Sequence, residues 1–548
     1  MGAGPGRRGL PLGGGGAGPR GVGGAGGRQR KGGGGWRGLA GVAAAAGLGV
    51  FVFMSVVAWA LGRRQPTTRV VRALTAEHEA QKALERTALC SAATTLRDDL
   101  ALLVPIWKGG RNSGADASVP PAVGRAWGVI ESHIPEKEQY RRLREAVPPG
   151  LHRTGQSVGP GGPAGGIEGE GGPLEGPGME PWAVEFLRED LSKFRKELPA
   201  YPADGYSGRG VVLTGGGVKH FGGAVVVFAT LRKQGCTLPG ELWVTAAERE
   251  DMPAAVVGAL ETQLGCAVRV LPASEKGELG GYAAKTGTLM LSSFREVLFL
   301  DSDNVPITNA CDLFEDDAYK KTGAMLWPDF WPASAAPELQ TITGTNSLLN
   351  STHETGQMVF DKQRVWKPLM VAAYFNMLGP GLYYKLLTDE VGEGDKETFP
   401  HAFLVEGLPE YTVPHDVTSA GAKWEKGGGG EERYGYTMVQ RRPSGEALFL
   451  HQNHFKTTFF NLRDVPREDG RPGKLSPYMP GDDFNGAAGY DIELWVWTVL
   501  RAVRCDAGVV RKVLEVRERI LPNKWCWLWK FYMVGWASRD SLVCPLQP

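Results

Sequence analysis

The sequence predicts an α/β protein built on a doubly wound sheet, carried behind a single-span membrane anchor. Between residues 208 and 244 a short apolar run, a Gly-rich turn, an apolar helix-like stretch and a second apolar run follow one another in βαβ order. Further on, Val297-Leu298-Phe299-Leu300 runs straight into Asp301-Ser302-Asp303, a strand pattern that ends in two acids. Near the amino terminus, residues 38–62 are 25 uncharged positions between Arg37 and Arg63. With 548 residues, 42% hydrophobic and 22% charged, the chain can bury a sizeable core and is neither disordered nor fibrous as a whole. Gly, at 78 residues, is about twice its usual ~7% share. The excess is clustered, with no collagen period and no solenoid repeat.

In chain order, residues 1–37 are a basic, Gly-rich tail. Seven of the 61 basic residues and no acid occur before residue 63, which leaves 54 basic against 60 acidic residues in the remainder. The near-neutral total therefore hides a net-acidic body that offers nucleic acid no basic face. Residues 38–62 suffice for a helix of about 20 residues across a ~30 Å hydrocarbon core. The competing reading, a cleaved signal peptide, expects an apolar core of about 7–15 residues and a better cleavage site than Ala58-Trp59-Ala60. Seven basic residues before the span against four closely after it (Arg63, Arg64, Arg69, Arg72) predict a type II orientation with a lumenal body.

Residues 63–147 read as a helical stem, with Val70, Val71, Leu74, Leu84 and Leu89 at helical spacing. Residues 148–180, rich in Gly and Pro, have too little to bury to offset their ordering entropy and read as a linker. The catalytic domain is then expected over 181–465, with a Trp-rich extension over 466–548 packed on it. The seven cysteines all follow the span and form no CxxC or Cys/His metal spacing, so a zinc module is not expected. A lumenal compartment permits disulfides, and Asn350-Ser351-Thr352 is the one glycosylation acceptor.

Within the domain, strands are expected at 211–213 and 242–244, with the turn Thr214-Gly215-Gly216-Gly217 and a helix to Leu231 between them. In doubly wound sheets ligands bind at the carboxyl ends of strands, and Gly215 and Gly216 would let backbone N–H groups approach a diphosphate. At the end of the strand 297–300, Asp301 and Asp303 alternate and would share one face. Two adjacent buried carboxylates call for a divalent cation, and oxygen ligands favour Mn²⁺ or Mg²⁺, which bridge to phosphates. Lys285, on a helix-like stretch leading into that strand, would reach the same centre. His451, after an apolar triplet, suits a third ligand place and Mn²⁺ in particular. Lys456 would neutralise a diphosphate leaving group. In WPDFWP, Trp327 would stack on a sugar ring while Asp329 takes its hydroxyls.

The blocks GRGVVLTGGG, LRKQGCTLPGELWV, GYAAKTGTLMLSSFREVLFLDSDNVPI, LFEDDAYKKTGAMLWPDFW, HETGQMVFDKQRVW, GDKETF and FLHQNHFK resemble, in order, those of the fungal-type Golgi α-mannosyltransferases, the MNN family of α-1,2 and α-1,3 enzymes. The resemblance covers residues 208–456. It implies a glycosyltransferase-A fold, GDP-mannose as donor, Mn²⁺ as cofactor with Mg²⁺ second, and a mannose-terminated glycan or glycoprotein as acceptor. It also implies retention of anomeric configuration and a Golgi-membrane location, and a transferase complex is a candidate partner. Asp301 and Asp303 resemble the family's D-x-D motif, with Ser302 facing away from the metal. His451 and Lys456 resemble the late histidine–lysine element. Gly394-Asp395-Lys396 resembles a block whose acid lies near the sugar, which makes Asp395 a catalytic candidate together with Glu354 and Gln357 on the acceptor side. Three alternatives remain at this level: a UDP-sugar donor on the same fold, an inactive glycan-binding scaffold subunit, and a membrane-anchored glycoside hydrolase.

Overall fold

The computed structural model describes residues 100–101, 103–104, 119–147, 152–153, 172–175, 178–215, 217–273, 281–332, 334–345, 351–387, 394–426, 430–452, 476–477, 484–504, 506, 508–509 and 512. All of these fall in one compact unit, Arg86–Pro548. The expected anchor at 38–62 lies outside the described residues, among which no helix is long and apolar enough to cross a membrane.

Helices α1 (Pro121–Ser132), α2 (Lys137–Ala146) and α3 (Pro181–Glu197) precede the sheet. Strand β1 (Arg209–Thr214), helix α4 (Gly217–Lys233) and strands β2 (Gly240–Val244) and β3 (Cys266–Val270) then wind outward in one direction. Helix α5 (Ala283–Leu291) leads into β4 (Glu296–Asp301), on the other side of β1. Next come β5 (Asn304–Pro306), β6 (Ala324–Pro332), β7 (Ser351–Asp361), helices α6 (Trp366–Met377) and α7 (Thr398–Glu406), and β8 (Tyr411–Thr412). The seven-stranded sheet has the order β8-β6-β7-β4-β1-β2-β3. Strands β4, β1, β2 and β3 are parallel, and β7 runs antiparallel between β4 and β6. A smaller antiparallel sheet orders Ser476–Pro477, β9 (Thr418–Lys426), β10 (Gly430–Arg441), β11 (Ala447–His451) and β5. Helix α8 (Ile492–Arg504) closes the described unit.

The winding reverses between β1 and β4, which makes their carboxyl ends the switch point where such sheets bind ligands. Thr214 and Asp301 are Cα partners there, so the Gly215 turn and the first acid sit side by side. Strand alternation sorts the core. Val211, Leu213, Leu298 and Leu300 pack with α4 and α8 on one face, and Val212, Val297 and Phe299 with α5 and α6 on the other.

Two expected boundaries shift. Helices α1 and α2 bury Val123, Trp127, Ile130 and Leu143 in one cluster with Leu187 and Phe194 of α3 and Phe299 of the sheet. The latter part of the expected stem is thus part of the body: helical spacing reveals an apolar face but not what it packs against. Within the expected linker, Gly172–Glu175 pairs with His152–Arg153 and Ser334–Ala335, and Met179 is buried, so the body starts before residue 181. At the other end, α8 buries Ile492, Val496, Val499, Leu500 and Val503, and Trp495 Nε1 donates to Thr230 Oγ1 of α4 at 2.9 Å. The Trp cluster at 525–536 lies outside the described residues. Cys236, just beyond α4, is joined to Cys311 by a disulfide, while Cys266 is a buried free thiol.

Candidate active site

Strand β4 stops at Asp301, and the chain turns through Ser302 and Asp303 into β5, which leaves the large sheet for the small one. In the small sheet Asn304 pairs with His451. The two acids therefore flank a turn. This corrects the expectation that strand alternation brings them together: it is the second sheet that carries His451 to both. His451 Nε2 lies 3.2 Å from Asp303 Oδ1 and 3.8 Å from Asp301 Oδ2, while Nδ1 lies 2.8 Å from Glu354 Oε1. Ser302 turns to α4, where its carbonyl oxygen would stand 2.2 Å from a Cβ placed on Gly223.

Behind Asp301 sits a buried ammonium. Asp301 falls on the same face of β4 as Phe299, the face that α5 covers, and Lys285 of α5 passes 5.4 Å over the Phe299 ring to reach it. Lys285 Nζ is 3.3 Å from Asp301 Oδ2 and 3.4 Å from Asp395 Oδ2, and donates to Thr355 O and Oγ1 at 3.1 Å each. Thr355 Oγ1 in turn donates to Asp395 Oδ1 at 3.4 Å. Adjacent residues of β7 thus serve opposite faces, Glu354 towards His451 and Thr355 towards Lys285, beside a register shift of the kind common at sites.

Charge balance sets the ionisation. Burial disfavours the Lys285 cation, but Asp301, Asp395 and Glu354 overcome this and raise its pKa. Burial likewise opposes a charged His451, which Glu354 and Asp303 hold well above the ordinary imidazole range. Burial lifts the Asp301 carboxyl to about 6 against the pull of Lys285 and His451. It also raises Asp395, opposed by Lys285. For Glu354, burial is outweighed by His451 and the pKa is lowered.

Donor atoms of Asp301, Glu354 and His451 come within 4.8 Å of one another, a candidate metal centre. With Nδ1 turned to Glu354, Nε2 is the nitrogen that faces the two aspartates. Glu354 then occupies the orienting place behind a histidine ligand, and Asp301, Asp303 and His451 Nε2 form the set that faces a cation. Carboxylate oxygens with one imidazole fit a hard divalent ion.

Gln357 is wholly buried, donates to Glu354 Oε2 at 2.6 Å and accepts from Asn304 Nδ2, which also donates to Gly356 O. It holds the cluster's framework and presents no group outward. Trp327, expected to stack on a sugar, is 0% exposed, donates from Nε1 to Arg441 O and packs edge-on against Phe449, so it is core and offers no free face. Asp329 is buried and paired with Lys396 at 2.7 Å, one residue beyond Asp395. Gly215 donates its N–H to Trp243 O, and a Cβ there would lie 2.6 Å from Val244 Cγ1. Gly216, Lys456 and Asn350 lie outside the described residues. Thr355, Gly356 and Gly223 belong to the site's scaffold, though sequence reading did not single them out. The signal was there in part, since Thr355 and Gly356 lie between the two chosen residues Glu354 and Gln357.

A charged cluster at the switch point of an α/β sheet, with acids and an imidazole facing one place and an ammonium behind, can hold a divalent cation and a phosphate-bearing ligand. The family Mannosyl_trans3, a family of mannosyltransferases, matches residues 208–353 and 344–440. The chain is similar to alpha-1,2-mannosyltransferase MNN21 of Candida albicans, 26% identical over 434 residues that cover 61% of this chain and 65% of the relative. It is 30% identical to MNN24 of the same organism over 43% of this chain and 37% of that one, and 27% identical to MNN2 of Saccharomyces cerevisiae over 39% and 42%. Each of these alignments spans less than two thirds of the relative's own length. Among solved structures, the galactosyltransferase LgtC with donor and acceptor analogues aligns at 12% identity and a TM-score of 0.24, over 35% of this chain and 70% of that one. The family model thus accounts for residues 208–440, and the relatives that the chain is similar to are alpha-1,2-mannosyltransferases of the MNN type.

Proposed function

We propose that the chain is a metal-dependent, retaining glycosyltransferase of the glycosyltransferase-A fold. It would move mannose from GDP-mannose to a mannose-terminated glycan in α-1,2 or α-1,3 linkage, from a lumenal domain held at the Golgi membrane. The observation that carries this reading is the cluster of Asp301, Asp303, His451, Lys285 and Asp395 at the β1/β4 switch point, all but His451 inside the family-matched residues 208–440. The Cys236–Cys311 disulfide supports the oxidising compartment.

A divalent cation on Asp301, Asp303 and His451 would stabilise the charge that grows on the departing diphosphate. Glu354 fixes the His451 ring so that Nε2 keeps its aim. Lys285, clamped by Thr355, offsets two carboxylates and keeps Asp395 oriented. In the transfer, the acceptor oxygen bonds to the anomeric carbon as the bond to the phosphate oxygen breaks, and the acceptor proton passes to that phosphate oxygen. In this reading Asp395 is the carboxylate that would stabilise the sugar cation. Glu354, with both oxygens engaged behind His451, supports the ring and does not attack.

The test is turnover by the full-length protein with GDP-mannose, UDP-glucose and UDP-galactose, a mannose-terminated acceptor, and Mn²⁺ or EDTA, beside Asp301→Asn. Transfer from GDP-mannose that needs Mn²⁺ and falls by about 10³-fold or more in the variant is expected. Transfer from a UDP-sugar alone overturns the donor, and full activity in EDTA overturns the metal.

A further inference from the structure

Tyr282 stands one turn before Lys285 at the amino end of α5. At 58% exposure it is the most exposed of the large hydrophobic side chains among the described residues. Its position is nevertheless fixed from behind. The ring lies over Gly394, whose φ is +86° and where a Cβ would sit 3.5 Å from the ring's Cδ1, Cε1 and Cζ atoms. It meets the Tyr384 ring edge-on, with centroids 6.4 Å apart and planes at 80°. The Tyr384 hydroxyl donates to Asn376 Oδ1, Asn376 Nδ2 donates to Thr398 Oγ1, and Thr398 Oγ1 donates to Asp395 O, at 2.7, 2.7 and 2.6 Å. The ring is therefore tied to the framework that holds Asp395, while much of its surface remains open to solvent.

Its side of the site is also defined. Lys285 Nζ bridges Asp301 and Asp395. The Gly215 turn lies on the β1 and β2 side of Asp301, and Tyr282 lies on the Asp395 side, beside Gly394. The Lys396–Asp329 ion pair follows two residues on from Gly394. An exposed aromatic face next to paired polar groups matches a pyranose, which has an apolar C–H face and a rim of hydroxyls.

We infer that Tyr282 is the stacking platform for a pyranose ring of the acceptor glycan, an inference that rests on the proposed transfer to a glycan. The contact uses the ring face, so the hydroxyl of Tyr282 is dispensable. The side chain is exposed, so replacing it leaves the fold intact.

The contact is read without donor by calorimetric titration of the full-length protein with α-mannobiose, maltose and lactose. Wild type is expected to bind α-mannobiose, Tyr282→Ala to weaken binding about five- to tenfold, and Tyr282→Phe to stay within about twofold of wild type. In turnover with GDP-mannose, Tyr282→Ala is expected to raise the acceptor KM by the same factor while kcat and donor KM stay within about twofold. Binding that responds to Tyr282→Ala, in a protein that does not use GDP-mannose, overturns the donor and keeps the platform. Preference for maltose or lactose, still sensitive to the alanine, keeps the platform and overturns the mannose-terminated acceptor. Three results overturn the platform itself: wild type binds none of the three disaccharides, Tyr282→Ala binds them as wild type does, or the alanine raises donor KM and leaves acceptor KM unchanged.

Discussion

Both oxygens of the buried Glu354 are engaged within the charged cluster. Its Oε1 accepts from Gly356 N at 2.6 Å and lies 2.8 Å from His451 Nδ1, and its Oε2 accepts from Gln357 at 2.6 Å. A ring held at Nδ1 keeps Nε2 facing Asp301 and Asp303, and loss of such orienting partners costs about 10- to 100-fold in metal affinity or activity at metal sites. Glu354→Gln is therefore expected to raise the Mn²⁺ concentration for half-maximal activity by about tenfold or more, with acceptor KM little changed. A titration of activity against Mn²⁺ checks this, and an effect on acceptor KM alone would return Glu354 to the acceptor side where sequence reading put it. That Asp301, Asp303 and His451 would meet at one centre was legible in the sequence because residue type and the preceding apolar strand limit what such groups can do, and the structure brings them together. Their roles relative to Glu354 and Gln357 were not, because those depend on which face of β7 each residue takes, and that changes at the register shift. Trp327 was misread for a related reason: an aromatic beside an acid looks the same in sequence whether it lines a cleft or fills a core.

Among elements, the contact between α4 and the turn after β4 leaves no room for a Cβ against backbone. Gly223 lies where the helix crosses Ser302, and a Cβ there would fall 2.2 Å from the carbonyl oxygen. A glycine inside a helix ordinarily costs about 1 kcal/mol against alanine, so Gly→Ala should stabilise wherever space allows. Gly128 in α1 has nothing within 4 Å of its would-be Cβ, and Gly128→Ala is expected to be neutral or to raise the melting temperature. Gly223→Ala is expected to do the opposite. Either α4 or the Asp301–Asp303 turn must move, at a cost of about 1–3 kcal/mol for overpacking, and activity should fall by about tenfold or more as the acids lose register with His451. Thermal melts and turnover of the two variants side by side check the sign. Strands β1, β2 and β4 were readable because each carries an unbroken apolar run, and α4 because it lies between two of them. The small sheet was not, since β5 is three residues long and its partners lie far along the chain, so only long-range pairing reveals it.

For the whole molecule, two clusters on opposite faces of one sheet bind α1, α3, α4, α6 and α8 into the same body. Sequence reading divides that chain into stem, linker and domain because composition marks where polypeptide is Gly-rich but not which flanking helices return to the core. A body closed over its polar groups also buries histidines in neutral form. His401 of α7 is 3% exposed, shares a 2.9 Å hydrogen bond between Nδ1 and the Glu397 carbonyl, and has its pKa pushed down to about 4 by burial, which that bond only partly offsets. His353, which faces it, is lowered to about 3 by burial and by His401 itself. In the unfolded chain both would titrate near ~6.5. Between that value and about 4 the unfolded state takes up protons that the folded state refuses, so stability is full above pH 7 and declines as pH falls through this window. Each group contributes at most about 1.4 kcal/mol per pH unit. Chemical denaturation at pH 7.5, 6.5 and 5.5 is expected to show this acid loss in wild type, and His401→Gln, which cannot titrate, should shrink it by about 1 kcal/mol over the last unit. Equal slopes in both proteins would mean that the acid sensitivity comes from other groups and that His401 is protonated in the fold.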